Sequence, residues 1–175
     1  MAGPVVAAAV IFRRKVSLPG LDDSKKLSPR TRETLFKKII FQAFVGIGQV
    51  SETVIDQINI LQATRLAMRQ AVQALPRTPD LVLIDGPIRL DLPVPQKSVI
   101  RGDAQSASIA AASIVAKVYR DHYMRQLDAV YPGYGFAFHK GYPTLRHLAA
   151  LEQRGVTPVH RKTFGPVARA GEPHP

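Results

Sequence analysis

Hydrophobic and polar positions change period repeatedly along the chain, and each change predicts an element. Pro4 to Phe12 is an apolar run rich in Val and Ala, closed by Arg13-Arg14-Lys15. It predicts a buried strand that runs into a charged loop. Pro19-Gly20 marks a turn. Ser28-Pro29 predicts a helix start, with Ser28 as N-cap and Pro29 in the first helical position. Leu35, Phe36, Ile39 and Ile40 then form an apolar face, opposite Arg30, Arg32, Lys37 and Lys38. Phe44 to Val50 alternates as a strand does. Ser51 to Leu75 predicts one long amphipathic helix that buries Ile58, Leu61, Leu66, Ala67, Ala71 and Leu75, and Pro76 and Pro79 end it.

The second half continues the alternation. Leu81 to Ile84 is a short buried strand that leads straight into Asp85-Gly86. A proline-bearing loop spans 87–95, and Lys97 to Ile100 predicts a strand ending at Arg101-Gly102-Asp103. Ser106 to Val130 is the longest helical pattern, and Ala110-Ala111-Ala112 near its start permits close backbone packing. Glycines and prolines among aromatics make 132–143 a structured loop. Leu145 to Gln153 predicts a short helix stopped by Gly155. The stretch from Val156 onward has little periodicity. Strands alternating with helices predict an α/β fold. No linker and no internal repeat interrupts the pattern.

Composition narrows the function classes. The 175 residues are 46% hydrophobic and 21% charged, enough for one domain with a real core and too apolar for wholesale disorder. Zero cysteines exclude disulfides, thiolate metal sites and a cysteine nucleophile, and fit a cytoplasmic protein. No apolar run approaches the ~20 residues of a membrane span. Lys and Arg total 24 against 13 Asp and Glu, a net charge of +11. A chain this basic is expected to meet a polyanion, nucleic acid first.

Against that background two carboxylates stand out. Asp85 and Asp103 both follow short apolar strands, and strand ends are where ligands bind in open α/β sheets. Converging carboxylates repel, and a hard divalent cation relieves the repulsion. Such ions activate water in phosphodiester hydrolysis. The plainer reading is that each Asp caps the turn or helix next to it. Ser24, Lys25 and Lys26 come after Asp22-Asp23, where lysines meet either phosphates or solvent. Tyr142, in His139-Lys140-Gly141-Tyr142-Pro143, either stacks on a sugar or base or packs on the core. His139, His147 and His160 match no zinc spacing.

Taken in order, several strings resemble one family. They include Ala2-Gly3-Pro4-Val5-Val6, Gly20-Leu21-Asp22-Asp23-Ser24-Lys25-Lys26-Leu27-Ser28 and Asn59-Ile60-Leu61-Gln62-Ala63-Thr64. Next are Val82-Leu83-Ile84-Asp85-Gly86, Ala110-Ala111-Ala112-Ser113-Ile114-Val115-Ala116-Lys117-Val118 and Tyr131-Pro132-Gly133-Tyr134-Gly135-Phe136. His139-Lys140-Gly141-Tyr142-Pro143-Thr144 and His160-Arg161 close the series. The chain resembles bacterial ribonuclease HII, the type 2 ribonuclease H. The resemblance spans residues 2–167, leaving 168–175 as a mobile tail.

The resemblance implies a ribonuclease H-like mixed sheet flanked by helices. It implies cleavage of RNA in RNA–DNA hybrids, and of single ribonucleotides embedded in duplex DNA, to a 3′-hydroxyl and a 5′-phosphate. It implies a monomer that uses Mg²⁺ or Mn²⁺ held by four acidic residues, the last two falling on Asp85 and Asp103. Tyr142 falls on the tyrosine that stacks at the RNA–DNA junction, and Lys25, with Ser24, Lys26 and Lys140 beside the matching motifs, on substrate contacts. In the family an Asp-Glu pair and a Gly-Arg-Gly-Pro stretch precede the segment matching Ala2, whereas this sequence starts there with Met1. The expectation is therefore a chain lacking the first, central strand and two of four acids, weak or inactive by itself. A start codon assigned too late accounts for this better than a true truncation, because no other motif shows decay. The alternative is a non-catalytic protein that binds RNA or RNA–DNA hybrids.

Overall fold

A computed structural model describes residues 1–14, 18–22 and 24–171. Asp23 of the lysine-bearing motif and residues 172–175 of the expected tail lie outside them. In chain order the elements are β1 (Val5–Phe12), α1 (Pro29–Gln42), β2 (Ala43–Val50), α2 (Glu52–Gln73), β3 (Val82–Asp85) and β4 (Gln96–Val99). Then come α3 (Gly102–Gln105), α4 (Ala107–Val130), α5 (Phe136–His139), α6 (Leu145–Arg154) and α7 (Gly165–Ala170). Residues 168–170, expected in the tail, are thus helical: Pro166 pre-sets the first turn and Val167 is buried.

The helix boundaries have local causes. Ser28 is the N-cap of α1, accepting from the Thr31 amide at 3.1 Å, with Pro29 behind it. Thr144 caps α6 through the His147 amide, and Gly155 ends it. The pattern over 51–75 predicts one continuous helix, but α2 breaks at Asn59 (φ 65°, ψ 165°). The Asn59 side-chain oxygen accepts from Leu61 and Gln62, so it caps a fresh helical start. The break resets the helical phase. Leu61, expected inside, is half exposed and Ile55 and Ala63 are buried, whereas Ala67 and Ala71 are buried as expected.

The described residues form two compact units, the first comprising Met1–Val5, Val50–Ala63 and the chain from Tyr119 onward, the second Val6–Gln49 and Thr64–Val118. In the second unit β2 faces two helical layers through its alternation. Val45 and Ile47 pack against a core of Leu35, Ile39, Ala111, Ile114 and Val115 from α1 and α4. Gly46 and Gly48 turn the other way, onto α2. A Cβ on Gly48 would lie 1.9 Å from the Ala67 carbonyl oxygen, and one on Gly46 2.0 Å from that of Ala71. Helix and strand backbones therefore touch directly, which any side chain would prevent.

The sheet is divided. β1 pairs with β2, and β3 pairs with β4 in parallel. A cavity of about 690 Å³ is lined by consecutive residues of both β1 (Val6 to Phe12) and the β3 segment (Leu81 to Asp85). Successive side chains of a strand point to opposite faces. A strand that lines a cavity with every residue is presenting its hydrogen-bonding edge. Residues of α2 (Thr64, Met68, Val72) and α4 (Ile109, Ala112, Ala116) line the same space.

The first unit is built on Phe136, fully buried and stacked on Tyr134 at 5.4 Å. His139 and His147 meet its ring edge-on. The guanidinium groups of Arg120 and Arg161 donate to the carbonyls of Ala2, Gly3 and Pro4, tying the chain start to α4 and to the segment before α7.

The close approach of β2 to α2 is testable by substitution. Gly48→Ala should lower stability by about 3 kcal/mol in urea unfolding, because backbone cannot retreat from backbone. Gly165→Ala, whose methyl would meet only the tip of Arg169, should stay within ~0.5 kcal/mol of wild type. The buried histidines of the first unit make stability depend on pH. Burial pushes His147 and His160 down to about 4, whereas unfolded histidine titrates near ~6.5. Between these values the unfolded chain binds more protons, so stability rises with pH across that window and is lost as pH falls from ~6.5 toward ~4. The urea midpoint should fall through this range, and less steeply in His160→Gln. Equal slopes would contradict the assignment.

Candidate active site

Asp85 is the last residue of β3 and is exposed; Asp103 lies in the first turn of α3, half-buried. Parallel pairing in the register Asp85↔Val99 sets the end of β3 beside the end of β4. The chain then turns through Arg101, held at φ 52°, a left-handed conformation that side chains adopt only under constraint. Gly102 comes next, buried against Ile109, and its amide donates to Asp85 Oδ1 at 2.8 Å. A Cβ there would fall 2.5 Å from the Ile109 methyl. The two segments that carry the aspartates are thus joined by one hydrogen bond. That bond runs to a residue 17 positions away rather than to the turn next to Asp85; it uses one oxygen and leaves the residue exposed.

Both aspartates offer hard oxygen donors. A Mg²⁺-type ion is typically held by one or two carboxylates, with water and substrate phosphate completing its shell. Asp85 and Asp103 fit that role. Among the described residues no group of three or more His, Asp or Glu side chains could hold a metal ion. Of the other carboxylates near motif positions, Asp56 is engaged elsewhere. It accepts from the Lys162 and Thr163 amides and the Thr163 hydroxyl, at 2.8, 2.9 and 2.6 Å. Burial opposes its charge, but these hydrogen bonds outweigh burial and hold its pKa below the usual range.

The predicted substrate residues fall in both units. Ser24, Lys25 and Lys26 lie in the second, in the turn before α1. Ser24 is buried, its carbonyl accepting from Arg32 at 2.8 Å. Lys25 is exposed, and Lys26 pairs with Asp22 at 3.3 Å. Tyr142 and Lys140 belong to the first unit. Tyr142 is 56% exposed, and the Arg120 guanidinium lies 5.5 Å from its ring centre. Core packing is therefore not its role. The Lys140 ammonium donates to the Ala137 carbonyl.

Sequence spacing missed the histidines. His139, His147 and His160 do come together: the His139 and His147 rings stack at 4.3 Å, and His147 Nε2 lies 3.1 Å from His160 Nε2. Their other nitrogens bond to Tyr134, Gly141, Tyr142 and Thr157, so each ring is spent on protein partners. The separations of eight and thirteen residues are set by loops, and no local pattern announces them.

Among the described residues no helix is long and apolar enough to cross a membrane. The fold is similar to that of ribonuclease H2 from Pyrococcus horikoshii OT3 (TM-score 0.70, 22% identity, covering 97% of each chain). It is also similar to RNase HII from Archaeoglobus fulgidus, solved in complex with PCNA (TM-score 0.79, 22% identity, 99% of this chain and 92% of that one). Bst-RNase HIII, solved with Mn²⁺, matches at a TM-score of 0.70 and 17% identity, over 97% of this chain and 64% of its own. At these identities the likeness establishes the mixed α/β fold. In sequence the chain is 56% identical over 168 residues to ribonuclease HII of Enterococcus faecalis, covering 95% of this chain and 66% of that protein. It is 56% identical over 165 residues to ribonuclease HII of Pelobacter propionicus, covering 94% and 75%. The chain thus spans about two thirds to three quarters of the length of these relatives. The ribonuclease HII family profile matches residues 1–167. With the strand-end aspartates in place and the profile covering nearly every residue, the chain belongs to the ribonuclease HII family.

Proposed function

We propose that this chain is the greater part of a metal-dependent endonuclease. It cuts the RNA strand of RNA–DNA hybrids and single ribonucleotides in duplex DNA, leaving a 3′-hydroxyl and a 5′-phosphate. The observation that carries this reading is the pairing of Asp85 with the Asp103 segment through the Gly102 amide. Mg²⁺ or Mn²⁺ bound there would supply an activated water and charge neutralisation at the scissile phosphate. Asp85 and Asp103 are the residues that would hold it. The Gly102 bond fixes the Asp85 carboxylate before any ligand arrives, so its orientation costs nothing at the moment of binding. Tyr142 stacks at the sugar–base step where a 2′-hydroxyl distinguishes RNA from DNA. Ser24, Lys25 and Lys26 contact phosphates without reading sequence. Lys140 joins them only by leaving the Ala137 carbonyl. The protein acts as a cytoplasmic monomer.

The cavity between the edges of β1 and β3 supports a companion inference. A further strand seats there, central to the sheet, and the family pattern puts the remaining acid pair on it. Two carboxylates alone leave a cation underheld, so this form by itself is expected to cleave weakly or not at all. Binding of hybrids without cleavage is the second reading, favoured by the lack of a third acidic ligand among the described residues.

The test compares this chain with a form extended by the residues encoded in frame upstream. The substrate is duplex DNA bearing one ribonucleotide, with Mn²⁺ or with chelator. The extended form should cut only with metal, and this chain far less. In the extended form Asp85→Asn and Asp103→Asn should each lower turnover by at least ~10²-fold and leave the duplex Kd within about twofold. An extended form that does not cut would end the enzyme reading. Equal cutting by the 175-residue chain would end the inference about the strand.

A further inference from the structure

Three buried histidines in the first unit take no part in the proposed chemistry, yet their hydrogen bonds have a single direction. The Thr157 amide and hydroxyl both approach His160 Nδ1, at 3.1 and 2.8 Å. An amide can only donate, so Nδ1 of His160 accepts and its proton sits on Nε2. That Nε2–H faces His147 Nε2 at 3.1 Å, which must then accept. The His147 proton is therefore on Nδ1, which lies 2.9 Å from the Tyr142 carbonyl. His139 is locked in the same way. Its Nδ1 accepts from the Gly141 amide at 3.2 Å and its Nε2 donates to the Tyr134 carbonyl at 2.8 Å.

Two of these bonds, from the Gly141 amide to His139 and from His147 to the Tyr142 carbonyl, fall on the backbone around Tyr142. Its carbonyl accepts from His147 and from the Thr144 amide at 2.9 Å, and its amide donates to the His139 carbonyl at 2.9 Å. The two residues before it are both left-handed, Lys140 at φ 53° and Gly141 at φ 78°. A non-glycine in that region is a cost that surrounding contacts must offset. The histidines themselves cannot drift, since Phe136 stands edge-on to His147 at 5.4 Å and His147 and His160 are fully buried. The outcome is a rigid backbone that carries an exposed ring.

We propose that His147, with its tautomer set by Thr157 through His160, is a positioning residue that fixes the backbone carrying the Tyr142 ring for recognition of the ribonucleotide. This rests on the reading that Tyr142 contacts the substrate, and the experiment separates the two. The readout is the ratio of Kd values for all-DNA duplex and for the same duplex with one ribonucleotide, measured by fluorescence anisotropy. Tyr142→Ala defines the ratio without the ring. His147→Asn keeps a donor at the δ position and should retain most of the preference. His147→Gln moves the amide to the ε position, loses the donor to Tyr142, and should lower the ratio about tenfold without weakening all-DNA binding.

A His147→Gln ratio equal to wild type, beside a collapsed Tyr142→Ala ratio, would overturn the proposal alone. So would equal losses in His147→Asn and His147→Gln that extend to all-DNA binding, the mark of a merely structural residue. A wild-type ratio of one, or a Tyr142→Ala ratio equal to wild type, would overturn the substrate reading of Tyr142 and the proposal with it. Imidazole ¹⁵N–¹H correlation spectra of the unmutated protein give an independent check that needs no variant to fold. They should place the proton on Nδ1 of His147 and on Nε2 of His139 and His160. An Nε2–H tautomer at His147 would refute the relay.

Discussion

Backbone N–H and C=O groups must be paired or solvated, and this constraint governs the architecture of the second unit. Among the described residues β1 and β3 each have one strand partner, and β1 from Val6 onward and all of β3 line the same cavity. The helical layers still meet their sheet faces, α4 through its alanines and α2 through the bare backbone at Gly46 and Gly48. The layered architecture therefore survives division of the sheet. Open edges are templates for any extended segment, including the edge of another molecule. A unit of this kind is ready to accept a strand and prone to acquire the wrong one.

The site lies at the end of this divided sheet. Its order comes from short-range geometry: a parallel register, one left-handed residue, one glycine against an isoleucine, and one amide to a carboxylate. None of these requires the cavity to be filled. The Asp85 carboxylate is held in place by residues of the second unit.

Some of this was legible in the amino-acid sequence because its causes are local. Ser28 and Pro29 start a helix wherever they occur together ahead of an amphipathic stretch, and β3 announces itself as an apolar run ending in Asp85. The Asn59 break was not legible, since Asn is compatible with a helix interior and only the side-chain bonds to Leu61 and Gln62 decide otherwise. The histidine cluster was equally hidden. Its members are joined by α6 and by loops whose course depends on Lys140, Gly141 and Gly155 adopting positive φ. The exposure of Tyr142 was left open by the residues alone, and the fold resolves it by pinning the backbone rather than the ring. The split of the sheet arises from pairing across long separations, which periodicity does not report.

The clamp of Arg120 and Arg161 on Ala2, Gly3 and Pro4 spans separations of up to 158 residues. The Arg120 bonds need only residue 120 to have been made, whereas the Arg161 bonds wait for residue 161. The second unit draws on residues up to Val118 and can condense during synthesis, whereas the first waits for Arg161 to leave the ribosome. Ala2 and Pro4, both fully buried in the finished fold, lack the Arg161 side of the clamp until then. The unit that carries the Tyr142 loop is therefore completed only by residues that follow the loop in sequence.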